Sequence, residues 1–245
     1  AIVFVHGWNG NWASTWAEFP SAIRAMPEAL LADAFFLNYP SRTVSVALLG
    51  RDLEAFLEDL LRSPAASVVN RSLPPGAPPR PPHWRYARIV LVAHSMGAVV
   101  ARRALLNLDR AEPHRRLMPS EAASLQLLLF APAHLGTSLP GLIASGLWLD
   151  CLPGASLLGK LLMIHYRSLQ DLEIGSGSLG QLLKDNERAR ASRAAAGTLD
   201  DDLRALVVHA RGDKVVVQDR FDEDREGRSM AGRNHRDACK PDEQH

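Results

Sequence analysis

Residues 89–100 read IVLVAHSMGAVV and carry the strongest structural signal of the sequence. An apolar run passes directly into Ser95, and a helical pattern begins at Met96. Ala93 and Gly97 are small residues on either side of the serine, so the backbone can turn sharply there without a steric clash. The stretch therefore predicts a buried strand, a tight turn that presents the serine hydroxyl, and a helix.

Four further apolar runs and several amphipathic helical patterns surround this stretch. Short apolar runs flanked by Gly, Pro and polar residues are typical of strands buried on both faces of a parallel sheet. Residues 46–60 and 96–108 show the three- and four-residue spacing of amphipathic or buried helices. The alternation predicts an α/β fold with a mostly parallel sheet flanked by helices. The predicted strands cover residues 2–5, 33–38, 89–93, 125–130 and 205–209.

The composition excludes several classes of protein. The 245 residues are 47% hydrophobic and 22% charged, with a net charge of +1, so a dedicated nucleic-acid binder is not expected. No Cys or His cluster has the spacing of a zinc site. Cys151 and Cys239 are expected to be unrelated thiols, with one disulfide between them as the alternative. The sequence has no apolar stretch of about 20 residues, so no membrane-spanning helix is expected. No signal peptide is evident, which slightly favours the cytoplasm.

The strand, turn and helix around Ser95 resemble the α/β-hydrolase superfamily, in particular its lipase and serine-esterase branch with inositol-deacylase-like and bacterial lipase-like members. Most members have glycine where Ala93 stands, although some bacterial lipases have alanine. The stretch VFVHGW at residues 3–8 resembles the family's first core strand and oxyanion loop. The resemblance implies that Ser95 is the nucleophile and that the N–H groups of Trp8 and Met96 hold the oxyanion.

A serine hydroxyl is a weak nucleophile until a base takes its proton, so a histidine is required. His235 stands in a loop near the C-terminus, followed by Cys-Lys-Pro, and the resemblance implies that this is the base. His209 and His245 remain alternatives. His209 ends a predicted strand four residues before Asp213, where it would have difficulty facing both an acid and the serine.

The third member of the triad is an acid that orients the imidazole. Asp213 follows the predicted strand 205–209 in the sequence ARGDKVV, which matches the acid position of the family. The order Ser, Asp, His along the chain is also that of the superfamily. The competing aspartates lie in the sequence DRFDEDREGR, which is expected to be a solvated charged loop; they are Asp219, Asp222 and Asp224.

Two segments interrupt the alternation of strand and helix. Residues 73–82 read LPPGAPPRPP and predict an exposed loop, with a docking site for a proline-binding domain as the alternative. Residues 139–199 predict a cap or lid within a single domain of residues 1–245. The apolar content of this insertion suits an acyl chain or a transient membrane contact. The alternative is that it merely covers the core.

The resulting hypothesis is a serine hydrolase that cleaves small-molecule or lipid carboxylic esters through an acyl-serine intermediate, without a cofactor or metal. An acyltransferase or amidase with the same triad is one alternative, and a non-catalytic hydrolase-fold binding module is another. The motifs that carry the resemblance cover residues 1–8, 89–100, 127–138, 207–217 and 233–241.

Overall fold

The computed structural model of the chain describes residues 1–27, 32–73, 75–111, 123–138, 166–195 and 203–240. Within these residues, one sheet of six parallel strands forms the centre of the protein. The strands are β1 Ile2–Val5, β2 Ala34–Phe36, β3 Arg88–His94, β4 Ser124–Phe130, β5 Ala205–Ala210 and β6 Arg225–Met230. Their spatial order is β2-β1-β3-β4-β5-β6. The α/β-hydrolase fold class and the five predicted strands are thereby confirmed.

Helices flank the sheet on both sides. They are α1 Trp12–Trp16, α2 Phe19–Ala25, α3 Val46–Arg62, α4 Asn70–Ser72, α5 Met96–Ala111, α6 Arg167–Asp171 and α7 Gly177–Ala195. The two helices predicted from apolar spacing are α3 and α5, and both extend slightly beyond the predicted range. Among the described residues, no helix has the length and apolar character needed to cross a membrane.

Alternate residues of β1 and β3 face opposite layers, as the period of a strand requires. Val3, Val5 and Leu91 belong to the larger buried cluster, which includes the apolar faces of α3 and α5. Phe4 belongs to a smaller cluster on the other face, where its ring packs edge-on against Trp16 at 5.1 Å. The sheet is therefore covered on both faces, which explains why its central strands read as continuous apolar runs.

Strand β6 was not predicted, and the expectation of a solvated loop at DRFDEDREGR is wrong for its second half, while Asp219 and Asp222 are exposed as expected. Asp224, in the middle of this region, is buried, and the strand begins at the next residue. Among the described strands, β6 pairs only with β5, so it needs no alternation of apolar residues. Gly227 marks the strand, because a Cβ there would lie 1.5 Å from the carbonyl oxygen of Val207. A glycine inside a charged stretch thus signals a close backbone approach.

A buried ion pair joins α5 to the segment that leads into β6. The Nη2 group of Arg102 donates to Asp224 Oδ2 at 2.6 Å, and both side chains are fully buried. Arg102 also donates to the carbonyl of Leu203 at 3.1 Å. The second oxygen of Asp224 accepts the Ala205 amide at 2.9 Å, at the first residue of β5. This ion pair thus links α5, the helix that follows Ser95, with the edge strand β6.

The proline-rich segment is irregular and mostly exposed, as predicted. It is anchored at Arg80, whose guanidinium binds Asp33 at 2.9 Å and lies 4.2 Å from the centre of the Trp84 ring. Asn70 exchanges two hydrogen bonds with the backbone of Arg80. These contacts give Arg80 a structural role in closing the loop against the first strands.

Part of the predicted cap and one of the two cysteines lie outside the described residues. Within 139–199, the structure describes 166–195, where α7 packs against α5. The cap, and its inclusion in a single domain, stay predictions. Cys239 is a free, buried thiol, whereas Cys151 falls in the part that the structure does not describe.

Replacing Arg102 by methionine should strongly destabilise the protein, because Asp224 would be left as a buried charge without its partner. Losses of this kind are about 3–5 kcal/mol in the free energy of unfolding. The double variant Arg102→Met/Asp224→Asn should recover part of the loss, since the charge is gone and an amide oxygen still accepts the Ala205 N–H. Urea unfolding measures both. A double variant no more stable than Arg102→Met would contradict this account.

Candidate active site

Ser95 occupies a strained turn between β3 and α5. Its φ of +54° is in the left-handed region, which non-glycine residues adopt rarely and at a cost of about 1–3 kcal/mol. The amide of Ser95 donates to the Phe130 carbonyl at 3.0 Å, and its carbonyl accepts the amides of Ala98 and Ala133 at 3.0 and 3.2 Å. These bonds from two neighbouring elements hold the turn, which matches the predicted nucleophile position.

Two glycines allow the loop after β1 to lie against this turn. A Cβ on Gly97 would lie 2.3 Å from the Val5 carbonyl oxygen and 2.5 Å from that of His6. A Cβ on Gly7 would lie 2.9 Å from the Cβ of Ser95. Both positions therefore require glycine for close approach, and together they bring the end of β1 next to the serine.

Three side chains far apart in the sequence meet at the carboxyl edge of the sheet. His235 Nε2 lies 2.9 Å from Ser95 Oγ, and His235 Nδ1 lies 2.8 Å from Asp213 Oδ2. All three residues are buried. Because a carboxylate accepts at Nδ1, the proton is on that nitrogen, and Nε2 is left to accept from the serine hydroxyl. The structure thus brings together the three residues that the sequence selects.

The carboxylate of Asp213 is held in its ionised form by its neighbours. Its Oδ1 accepts the amides of Val215 at 2.8 Å and Val216 at 3.3 Å, while Gln218 binds its backbone carbonyl at 2.6 Å. Burial alone would raise the pKa of Asp213, but the hydrogen bond from His235 and the two amides hold this pKa below its ordinary value.

The loop that carries His235 is fixed by a second histidine. His94 Nε2 lies 2.8 Å from the carbonyl oxygen of His235 and donates to it. Burial, with the nearby His235 ring as a smaller cause, lowers the pKa of His94 to about 3, so this ring is neutral. The amide of Gly212 also donates to the Arg233 carbonyl at 3.0 Å. His94, the residue before Ser95, thereby connects the end of β3 to the loop that contains His235.

The loop after β1 is braced by residues that follow β2. The Tyr39 hydroxyl donates to the carbonyl of His6, and the two rings stack at 4.0 Å. Within the loop, His6 Nδ1 donates to the Gly7 carbonyl at 2.8 Å. Arg42 donates to Asn9 Oδ1 through Nε at 2.6 Å. His6 is therefore a structural residue of this loop. The contacts of Tyr39 and Arg42 with the loop cannot be predicted from any apolar periodicity in the sequence.

Trp8 and Met96 occupy positions suited to stabilising negative charge. Trp8 is buried directly after Gly7, the residue that touches Ser95. Met96 is the first residue of α5, where a helix leaves its N–H groups without intrahelical acceptors and presents the positive end of its dipole. Their role as oxyanion donors stays a prediction.

The segment after Asp213 is held in place through the ring of Phe221. The centre of the Phe221 ring lies 4.5 Å from the guanidinium of Arg102 and 4.5 Å from the centre of the His134 ring. His134 Nε2 donates to the carbonyl of Asp219 at 3.3 Å. Burial, reinforced by Arg102, lowers the pKa of His134 well below its ordinary value, so this ring is also neutral.

The competing residues lie elsewhere. His209 is half-buried within β5, and its hydrogen-bonding nitrogens make no contact with Ser95. Asp219 and Asp222 are exposed, and Asp224 is used in the pair with Arg102. His245 lies outside the described residues.

Comparison with known proteins agrees with this fold. The model of the alpha/beta hydrolase family matches residues 2–240. No curated protein matches the sequence. Among solved structures, the mature form of lipase BlEst2 from Bacillus licheniformis has a TM-score of 0.54 at 16% identity, covering 97% of this chain and 85% of the lipase.

A second solved structure, phospholipase PlaB from Legionella pneumophila in complex with thio-NAD, has a TM-score of 0.51 at 21% identity. The alignment covers 86% of this chain, which spans only 37% of the phospholipase. At these identities the likeness shows a common fold.

Acid should destabilise the protein through its buried neutral histidines. Below pH 6.5 the unfolded chain takes up a proton on His94 that the folded chain takes up only near pH 3. The free energy of unfolding therefore falls with decreasing pH across this window, by up to about 1.4 kcal/mol per pH unit for one such residue. Urea unfolding at a series of pH values measures the slope.

The variant His94→Gln should show a shallower slope than the unmodified protein, because one proton-linked group has been removed. His83→Gln, which changes an exposed histidine, is the matched control and should leave the slope unchanged. Equal slopes for His94→Gln and the unmodified protein would show that His94 is not buried in the neutral form.

Proposed function

Because the chain belongs to the alpha/beta hydrolase family, we propose that it is a serine hydrolase that cleaves carboxylic esters through an acyl-serine intermediate. The observation that carries this proposal is His235, whose two ring nitrogens lie 2.9 Å from Ser95 Oγ and 2.8 Å from Asp213 Oδ2. A nucleophile, a base and an acid in this arrangement are the parts that acyl transfer to serine requires.

In the first half of the reaction, Ser95 Oγ attacks the carbonyl carbon of the ester while its proton passes to His235 Nε2. The imidazolium that forms is stabilised by Asp213, which accepts from Nδ1 and stays ionised. Collapse of the tetrahedral intermediate breaks the bond to the alcohol oxygen. The alcohol leaves with the proton from His235, and the acyl group remains on Ser95.

The oxyanion of each tetrahedral intermediate is proposed to accept from the N–H groups of Trp8 and Met96. The closeness of Gly7 to Ser95 and the start of α5 at Met96 support this assignment. One such preorganised donor contributes roughly 2.7–4 kcal/mol to transition-state stabilisation. The rigid brace around His6 keeps this loop in place without reorganisation during the reaction.

In the second half, water takes the place of the alcohol. His235 accepts a proton from the water, the hydroxide oxygen attacks the acyl carbon, and the carboxylic acid leaves as Ser95 regains its proton. The lipase and phospholipase with similar folds support carboxylic esters, including lipid esters, as the proposed substrate class. Turnover in the presence of a competing alcohol or amine distinguishes this hydrolysis from acyl transfer.

Replacing Ser95 by alanine should abolish both ester hydrolysis and labelling by a fluorophosphonate probe. The rate should fall by about 10⁶-fold if the three residues act as a unit. Hydrolysis of p-nitrophenyl esters of graded chain length and mass spectrometry of the labelled protein measure the two effects. Ser21→Ala, which changes an exposed serine of α2, is the control. Labelling of a serine other than Ser95 would refute the proposal.

Replacing Asp213 by asparagine should slow turnover by about 10⁴-fold, as expected when the acid can no longer hold the imidazole tautomer. The protein should still fold, because an amide oxygen can accept the Val215 N–H. Asp222→Asn is the matched control, since Asp222 is exposed on the same segment. Steady-state kinetics with a short-chain ester compare the two. A larger loss for Asp222→Asn would contradict the assignment of the acid.

A further inference from the structure

A cavity of about 320 Å³ lies between the carboxyl ends of β1 and β2 and the first half of α3. Its volume is about twice that of an apolar cavity able to hold benzene, and it falls in the size range of small-molecule sites. The apolar part of its lining includes Val5, Leu37, Leu49, Leu53, Phe56 and Val100. These side chains provide an apolar floor beneath an open mouth.

Two polar residues at the cavity have no partner in the part of the chain that the structure describes. Asp52 and Asn38 line the cavity, and both are exposed. Neither side chain forms a hydrogen bond or ion pair with any residue in the described part of the chain. Moreover, no basic residue stands three or four positions from Asp52 on α3, where a helix would place a partner. A carboxylate and an amide oxygen are therefore left facing a pocket whose floor is apolar.

The cavity is separate from Ser95, His235 and Asp213. One of its lining residues, however, also holds the loop next to Ser95. Val5 and Val100 place it on the α3 and α5 face of the sheet. Tyr39 forms part of the lining, and the same residue holds the carbonyl of His6 through its hydroxyl. None of the three triad residues lines the cavity.

We propose that this cavity is a second binding site for a small organic cation, namely a protonated primary amine with an apolar body of about ten non-hydrogen atoms. The apolar body occupies the floor, and the ammonium group binds the carboxylate of Asp52 with Asn38 as a neutral acceptor. This site goes beyond the proposed ester hydrolysis, which does not require it. The charge of Asp52 makes it select amines over alcohols and carboxylates of the same shape.

The test compares phenylpropylamine, phenylpropanol and phenylpropionate, which share an apolar body and differ in the charge of the end group. Binding to the full chain is followed by protein NMR titration, and Kd for the amine is expected on the order of 1 mM. The amine should bind about fivefold more tightly than the alcohol, as one partly exposed charge pair allows, and the carboxylate should bind more weakly than both. Equal affinities for the three compounds would overturn the proposal.

Two aspartates of α3 provide a matched pair of variants. Asp52→Asn should lower amine affinity about fivefold, to that of the alcohol, with ester hydrolysis unchanged. Asp59→Asn changes an exposed aspartate of the same helix outside the cavity and should leave amine affinity unchanged. Leu53→Phe should fill the floor and weaken all three compounds. Should that variant not fold, the comparison of Asp52→Asn with Asp59→Asn decides.

The second site and the proposed hydrolysis are tested independently. Ser95→Ala and fluorophosphonate-labelled protein should bind the amine as the unmodified protein does. Loss of amine binding on labelling would place the amine in the Ser95 site and overturn the proposal of a separate one. Absence of ester hydrolysis with intact amine binding would instead refute only the proposed function.

Discussion

The close approach of α5 to the last carbonyls of β1 is the constraint on which the site depends. Gly97 lies so near the Val5 and His6 oxygens that any side chain there would force the helix away from the sheet. The helix begins directly after Ser95, so such a shift would carry the serine out of reach of His235. Packed interiors absorb little displacement, and the strained turn at Ser95 is stable only because its surroundings hold it.

The same helix also organises the surroundings of Asp213 and His235 from its buried side. Arg102 binds Asp224 and stacks on Phe221, which connects α5 to the segment between the acid and β6. His94, at the end of β3, binds the carbonyl of His235. A buried ion pair gives little net stability compared with an apolar contact, but it accepts few alternative arrangements. Together these contacts tie Ser95, the segment after Asp213 and the loop of His235 to β3 and α5.

Much of the fold was predictable from the sequence, because its signals are local. Apolar runs identified five strands, and helical spacing identified α3 and α5. The small residues around Ser95 identified the turn, since only such residues allow it. Asp213 and His235 were selected through family resemblance and chain order. The edge strand β6 escaped prediction, because a strand paired on one side only is free of the apolar pattern on which the prediction relied.

The sequence by itself determined the order of the candidate catalytic residues along the chain. Ser95 follows one strand, Asp213 follows another, and His235 comes after both. Only the tertiary structure decided that Arg102 and Asp224 are buried together, that Tyr39 braces His6, and that Asp52 borders a cavity. Each of these contacts joins residues more than 30 positions apart or depends on the space left between elements. A single residue's charge, aromatic character and exposure do not identify such partners. The partners are set by how the layers of helices and strands pack.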